Sequence, residues 1–313
     1  MPGNQHPKIS IVIVNWNSGQ LLRDCVSTIA AAKRDGFGIS SVTIVDNASS
    51  DRSQDGTQRD GVRVRVIRNS VNRGFAAACN QGAAGCQDDY LLFLNPDTRL
   101  FGDSLTKPIN FMQQPSSAAI GICGIRLLDS AGNPTTAAAR FPTLRVMVGR
   151  TLGLTKIFPH IFPLHLLSGN DLRESGLVDQ VIGAFFLIRK SVFDLCGGFD
   201  ERFFVYFEEV DLSLRAKKLG YSSYFLSDVS AFHKGGGCTD QVKAARLFYS
   251  LRSRIIYAKK HDSSAEWLCL ILLTGMEFPL RLIQGITKAS WTDIKNTFIA
   301  YTHLLSYFIR GNE

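Results

Sequence analysis

No Gly-x-Gly-x-x-Gly follows the first apolar run of this chain, and that disfavours a nicotinamide-type dinucleotide fold. Its seven cysteines are odd in number, scattered, and form no Cys-x-x-Cys pair. They argue against a disulfide scaffold or a zinc site and fit a reducing, cytoplasmic setting. The segment Met1 to Lys8 is polar and lacks the apolar core of a secretory signal. The longest membrane-like stretch, Trp267 to Met276, is shorter than the ~20 residues that span a bilayer. Glu277, Pro279 and Arg281 follow it, so no transmembrane helix is predicted. Internal repeats and low-complexity tracts are lacking. No Ser-His-Asp or Cys-His arrangement is visible, and no nucleic-acid reader motif accompanies the short basic stretches, so nucleic acid is not an expected partner.

What is present is globular. The 313 residues are 45% hydrophobic and 20% charged, enough for one large α/β domain with an appendage. The net charge of +8 favours an anionic partner such as phosphates, a nucleotide or acidic lipid. Strands are predicted at Ile9 to Val14, Val42 to Val45, Val64 to Ile67 and Tyr90 to Leu94. They alternate with helical spacing at Leu21 to Ile29 and with an alanine-rich helix after Asn72-Arg73-Gly74-Phe75. This pattern predicts an α/β fold with a doubly wound, mostly parallel sheet and helices on both faces. Further strands are expected at Ile120 to Leu128, Val181 to Ile188 and Tyr221 to Leu226, and a helix over Phe204 to Leu219. Arg140 to Asp179, rich in proline and without a period, reads as a mobile loop region.

The run Tyr90 to Leu94 is the pivot. It is continuously apolar, as a strand buried on both faces must be, and Asn95-Pro96 ends it. Asp97 therefore stands just past a strand's carboxyl end, where open α/β sheets bind ligands. A carboxylate there can hold a divalent cation between two phosphates, or merely close a turn. Asp46, after the second strand, can accept from a pyrimidine imide or cap its own turn. Arg73 can meet a nucleotide or stay solvated. Glu208, Glu209 and Asp211 suit a helix start electrostatically, yet the aromatics before them would desolvate a carboxylate toward the pKa of a general base. Asp211 and Arg215 are spaced to pair along a helix. His233, before a glycine-rich stretch, is a surface residue or a metal ligand beside Asp97.

Six segments occur in order: Ile11 to Asn17, Val45-Asp46-Asn47-Ala48-Ser49, Asn72-Arg73-Gly74-Phe75, Leu94-Asn95-Pro96-Asp97, Gly197-Gly198-Phe199-Asp200-Glu201 and Phe207-Glu208-Glu209-Val210-Asp211-Leu212. Together they resemble the inverting family 2 glycosyltransferases of GT-A fold, in particular the rhamnosyltransferase-like branch, over roughly Ile9 to His261. The resemblance implies transfer of a sugar, L-rhamnose as the first guess, from a nucleotide-diphosphate donor to a glycan or lipid-linked glycan in cell-surface polysaccharide synthesis. It implies that Asp46 contacts the base and that Asn15, Asn17, Asn72, Arg73, Gly74 and Asn95 line the nucleotide site. Asp97 and His233 would hold Mg²⁺ or Mn²⁺, Glu209 would be the base with Glu208 beside it and Asp211 a rival, and Asp200, Gly183 and Ala184 would face the acceptor. The sequence departs from the family pattern twice. Asp-x-Asp is here Asn95-Pro96-Asp97, and Glu-Asp is Glu208-Glu209, one methylene longer at the base. A nucleotidyltransferase or a non-catalytic nucleotide-sugar-binding module are the alternative readings.

The glycosyltransferase domain is expected over 1–262 and a helical extension over 263–313. Gln241 to His261 is basic with aromatics interleaved and contains no acid. Trp267 to Ile286 and Trp291 to Ile309 read as amphipathic helices, placed in a membrane interface, against the catalytic domain or in a homodimer.

Overall fold

The computed structural model describes residues 6–235 and 242–310. The chain divides into two compact units, one of residues 1–141, 166–201 and 208–238, the other of 142–165, 202–207 and 239–313. The sequence suggests a division at 262/263; the helical unit instead starts earlier and takes in two insertions.

In the first unit, β1 (Lys8–Asn15), β2 (Gly38–Asp46), β3 (Val64–Arg68) and β4 (Tyr90–Leu94) form parallel ladders in the order β3-β2-β1-β4. The helices α1 (Gln20–Ala31) and α2 (Phe75–Ala83) connect them. The polar stretch before Gly61 forms turns. Beyond β4 come β5 (Thr98–Leu100), α3 (Thr106–Gln113), β6 (Ile120–Leu128) and the short β7 (Ala138–Ala139).

Residues 140–179, expected as a mobile loop, instead carry regular structure. They contain α4 (Leu144–Thr151), capped by the Thr143 hydroxyl, and then β8 (Leu166–Leu167) and β9 (Gly176–Val178). The strand expected over 181–188 is split into β10 (Gln180–Val181) and β11 (Phe185–Arg189). The break is a turn closed by Phe185 N donating to Ile182 O at 3.4 Å, while the Ala184 carbonyl accepts from Asn95 N at 3.1 Å and Thr98 Oγ1 at 3.2 Å. Next come α5 (Lys190–Leu195), α6 (Glu208–Lys218) and β12 (Ser222–His233), which is longer than the predicted last strand. The helix α6 starts four residues later than expected because Tyr206 and Phe207 have φ of 68° and 72°, which no right-handed helix accommodates.

The sheet is completed as β4-β11-β6-β12-β5, with β9 also on β12, and the short β10, β7 and β8 form a second sheet. The antiparallel β11 sits between β4 and β6, so the sheet is parallel in its first half and mixed in its second. Alternation along the strands builds two cores. Ile9, Ile11, Ile13, Leu92 and Leu94 face α1 and α3, while Val12, Val14, Leu91 and Phe93 face α2 and α6. On the second face Gly82 lets α2 settle on β1, because a Cβ there would lie 2.4 Å from Val12 Cγ1. Phe93 packs edge-on against Phe199 with centroids 4.9 Å apart, which pins the Gly197–Glu201 turn to the sheet.

The second unit is helical: α4, then α7 (Lys243–His261), α8 (Ser264–Thr287) and α9 (Trp291–Arg310). Ser263 and Glu266 form a capping box that starts α8. By length and composition α8 is apolar enough to cross a bilayer, which corrects the expectation that no segment would be. Glu277 and Arg281 share one helical face, so they do not interrupt the apolar remainder as a linear reading assumed. Glu277 accepts from Arg254 Nη1 at 2.5 Å and Thr151 Oγ1 at 2.8 Å, and Arg281 Nη2 lies 3.3 Å away.

Candidate active site at the carboxyl edge of the sheet

Strand direction assembles the site. Because β1, β2 and β4 are parallel, Asn15, Asp46 and Asn95 to Asp97 leave the sheet at one edge. The strand β12 is parallel to β6, β6 is antiparallel to β11, and β11 is antiparallel to β4. β12 therefore points the same way as β4 and delivers His233 to that edge. The helix α6 ends beside the start of β12, through Tyr221 N donating to Ala216 O at 3.0 Å. Its 11 residues run back over about 16 Å, so Glu208 and Glu209 return to the edge that holds Asp97. Both acids also raise the pKa of Cys79 on α2, after burial as the main cause, so they lie on the α2 side of the sheet.

At the nucleotide end, Asn15 and Asp46 face each other in register across β1 and β2. Asn15, fully buried, donates its amide to Asp46 Oδ1 at 2.7 Å, Ser53 Oγ at 2.8 Å and Ser49 Oγ at 3.1 Å. Asn17, at φ 51°, accepts from Ser50 N at 2.8 Å and ties the loops after β1 and β2 together. Asn72 accepts from Gly74 N at 2.9 Å, forming an Asx turn whose Gly74, at φ 85°, opens α2. The Arg73 side chain is exposed. One residue with a site role was not singled out from the sequence. Asn47 is buried, accepts from Arg73 N at 3.2 Å, and donates to Gly74 O at 3.0 Å, joining the end of β2 to the 72–74 turn. Its signal was a short amide directly after a strand end.

At the other end Thr98 pairs with His233 across β5 and β12, and Lys234 N donates to Asp97 O at 3.2 Å. This backbone clamp sets His233 Nε2 3.3 Å from Asp97 Oδ1, with Asn95 Nδ2 3.5 Å from the same ring nitrogen. A carboxylate oxygen and an imidazole nitrogen fit Mg²⁺ or Mn²⁺ whose remaining positions go to water or phosphate. Among the described residues no group of three His, Cys, Asp or Glu forms a denser metal site. The glycine stretch after Gly235 lies largely outside the described residues.

The three acids of α6 separate into two kinds. Asp211 is fully buried and paired with Arg215 at 2.7 Å, and Arg215 also donates to Cys196 O and to Gly198 O at 2.9 Å. Asp211 therefore anchors the Gly197–Gly198 turn. Glu208 and Glu209 each present a carboxylate oxygen, Oε2, without a hydrogen-bond partner. Burial pushes Glu209 up to about 7. Burial, and then the neighbouring Glu209, raises Glu208 well above the carboxylate range. Both shifts favour the neutral acid, and that of Glu209 brings it to about 7. Of the residues expected to face the acceptor, Asp200 is partly exposed and a Cβ at Gly183 would meet open space, whereas Ala184 is fully buried, with its carbonyl accepting from Asn95 and Thr98.

Solved structures share this architecture. The mannosyltransferase PcManGT from Pyrobaculum calidifontis, in complex with GDP-Man and Mn²⁺, aligns with a TM-score of 0.57 at 13% identity over 96% of this chain and 87% of its own. GalNAc-T7 with UDP, GalNAc and Mn²⁺ aligns with a TM-score of 0.56 at 14% identity over 83% and 51%. The fold is that of a GT-A glycosyltransferase. The model of glycosyl transferase family 2 matches residues 10–195, more than half of the chain, and the chain belongs to that family.

Relatives include the N-acetylglucosaminyl-diphospho-decaprenol L-rhamnosyltransferase of Mycobacterium tuberculosis, 26% identical over 81% of this chain and 85% of that protein. The low-salt glycan biosynthesis hexosyltransferase Agl10 of Haloferax volcanii is 25% identical over 85% and 82%. The rhamnosyltransferase WbbL of Escherichia coli is 31% identical over 47% and 52%. The chain is a glycosyltransferase enzyme.

Proposed function

We propose that this enzyme is an inverting, divalent-metal-dependent transferase that moves L-rhamnose from a nucleotide-diphosphate donor to a hydroxyl of a lipid-linked glycan in the cytoplasm. What supports this reading is the strand topology, which directs the Asp97–His233 pair and the start of α6, where burial raises Glu209 to about 7, toward one sheet edge. Relatives named for rhamnosyl transfer to a diphospho-decaprenol carrier support the sugar and the acceptor class.

Asp46, oriented by the Asn15 amide, accepts from the base. The exposed Arg73 side chain, carried on the 72–74 turn, faces the diphosphate. Asp97 and His233 would hold Mg²⁺ or Mn²⁺, which when bound supplies positive charge for the departing diphosphate. The acceptor hydroxyl lies toward Gly183 and Asp200. Its oxygen attacks the anomeric carbon from the side opposite the nucleotide and its proton passes to Glu209. The bond from that carbon to the diphosphate oxygen breaks, and the electron pair leaves with the nucleotide. Attack from the opposite side inverts the anomeric configuration.

The test is turnover of dTDP-L-rhamnose, UDP- and GDP-sugars with Mn²⁺ and a polyprenyl-diphosphate-GlcNAc acceptor, with the product anomer read by NMR. A product of retained configuration, or no turnover and no thermal shift with any donor, would overturn the reading.

A further inference from the structure

The helical unit holds a surface that sugar transfer does not use. Its segments, 142–165, 202–207 and 239–313, contain fourteen Lys and Arg against six Asp and Glu, a formal charge equal to the +8 of the entire chain. Most of the large apolar side chains exposed among the described residues belong to the same unit.

On α8 the polarity is the reverse of what a water-facing helix shows. Leu268, Leu272, Met276, Leu280, Ile283 and Ile286 recur every three or four residues and are 36–67% exposed. They share a face with Gly275 and Pro279, and no charged residue falls on it. The acid of this helix's middle, Glu277, lies on the opposite face, buried against Arg254 of α7. On α9, Trp291, Phe298, Leu305 and Ile309 also fall on one face and are 51–82% exposed, with Lys295 the charge among them.

We propose that the outward faces of α8 and α9 dock this chain, in plane, on a bilayer bearing anionic headgroups. A continuous apolar face of this extent marks an interaction surface rather than a solvated one. The charge selects the partner. A second copy would set one +8 unit against another, whereas anionic lipid is attracted to it. Docking in plane follows from the helix faces. The 24 residues of α8 would reach across a bilayer at about 36 Å, but spanning would carry the Arg254–Glu277–Arg281 cluster into hydrocarbon.

The inference stands apart from the proposed reaction, and its test does not read turnover. The full chain is sedimented with vesicles of phosphatidylcholine alone and with about 30% phosphatidylglycerol. Wild type is expected in the pellet with the anionic vesicles and largely in the supernatant with the neutral ones. The triple variant Leu272→Glu, Met276→Glu, Ile283→Glu should lower partitioning about tenfold or more, with far-UV circular dichroism and melting temperature unchanged, because these side chains are exposed. Should that variant not fold, tryptophan fluorescence of wild type against Trp291→Phe decides, since brominated lipid should quench the Trp291 component by which the two differ. Wild type staying in solution with both vesicles, equal binding by the folded triple variant, or no quenching of Trp291 would each overturn the proposal. So would a light-scattering dimer that the triple variant dissociates, with no vesicle binding.

Discussion

His233 Nε2 stands 3.3 Å from Asp97 Oδ1, held there by strand pairing between Thr98 and His233 rather than by the side chains themselves. In the proposed mechanism two donors 136 positions apart in sequence would thus share one cation. Asp97→Ala should abolish Mn²⁺-stimulated turnover, and His233→Ala should raise the Mn²⁺ concentration for half-maximal activity about tenfold or more. A metal titration of donor turnover, with calorimetry of nucleotide binding, checks both. Because the backbone sets the geometry, melting temperatures should change little.

Glu209 acts as a base only when ionised, and burial raises its pKa to about 7. The rate should therefore climb as pH rises through 7 and level off above it. Glu209→Gln should lower kcat by about 10²- to 10⁴-fold, remove that rise, and leave donor affinity within a few-fold of wild type. A pH–rate profile on both proteins decides. A variant that keeps the limb near pH 7 would move the base elsewhere.

Asp211 competes with Glu209 on paper but holds Arg215 and, through it, the Gly198 carbonyl. Asp211→Ala leaves a guanidinium without its counter-ion in a mostly buried position, a loss of about 3 kcal/mol. Chemical denaturation should show that loss. Whatever activity the folded fraction retains should still carry the limb near pH 7, which separates a structural acid from the base.

In the helical unit Glu277 binds Arg254, Arg281 and Thr151. Burial alone would raise its pKa, but the two guanidinium groups and their hydrogen bonds outweigh that and lower it. A depressed folded-state value means that stability is present above the ordinary 4.5 and is lost as pH falls through the lowered one. Glu277→Ala should cost about 3–5 kcal/mol at neutral pH, and that difference from wild type should shrink on acidification. Melting curves of both proteins from neutral pH down to acid check the sign.

The parallel half of the sheet was legible because each of its strands is an apolar run closed by turn residues, and a strand buried on both faces leaves that trace whatever surrounds it. For the same reason Asn15, Asp46 and Asp97 could be placed at strand ends from their neighbours alone. The division of labour between Glu209 and Asp211 was not legible. Both follow the same aromatics, and although the four-residue spacing announced the Asp211–Arg215 pair, only the packing of α6 shows that Asp211 is fully buried while Glu209 keeps an oxygen unpartnered. Residues 140–179 hid their helix because α4 packs on α8, more than a hundred residues away in sequence. The face of α8 was missed for a similar reason. A linear scan met Glu277 and Arg281 as interruptions, but the helical turn sets them behind the apolar stripe, and the cation that neutralises Glu277 comes from another helix. Composition and local pattern determined which segments are strands and where their polar ends fall. The tertiary structure decided which charges are satisfied, because ion pairing and desolvation depend on groups that only folding brings within a few ångströms.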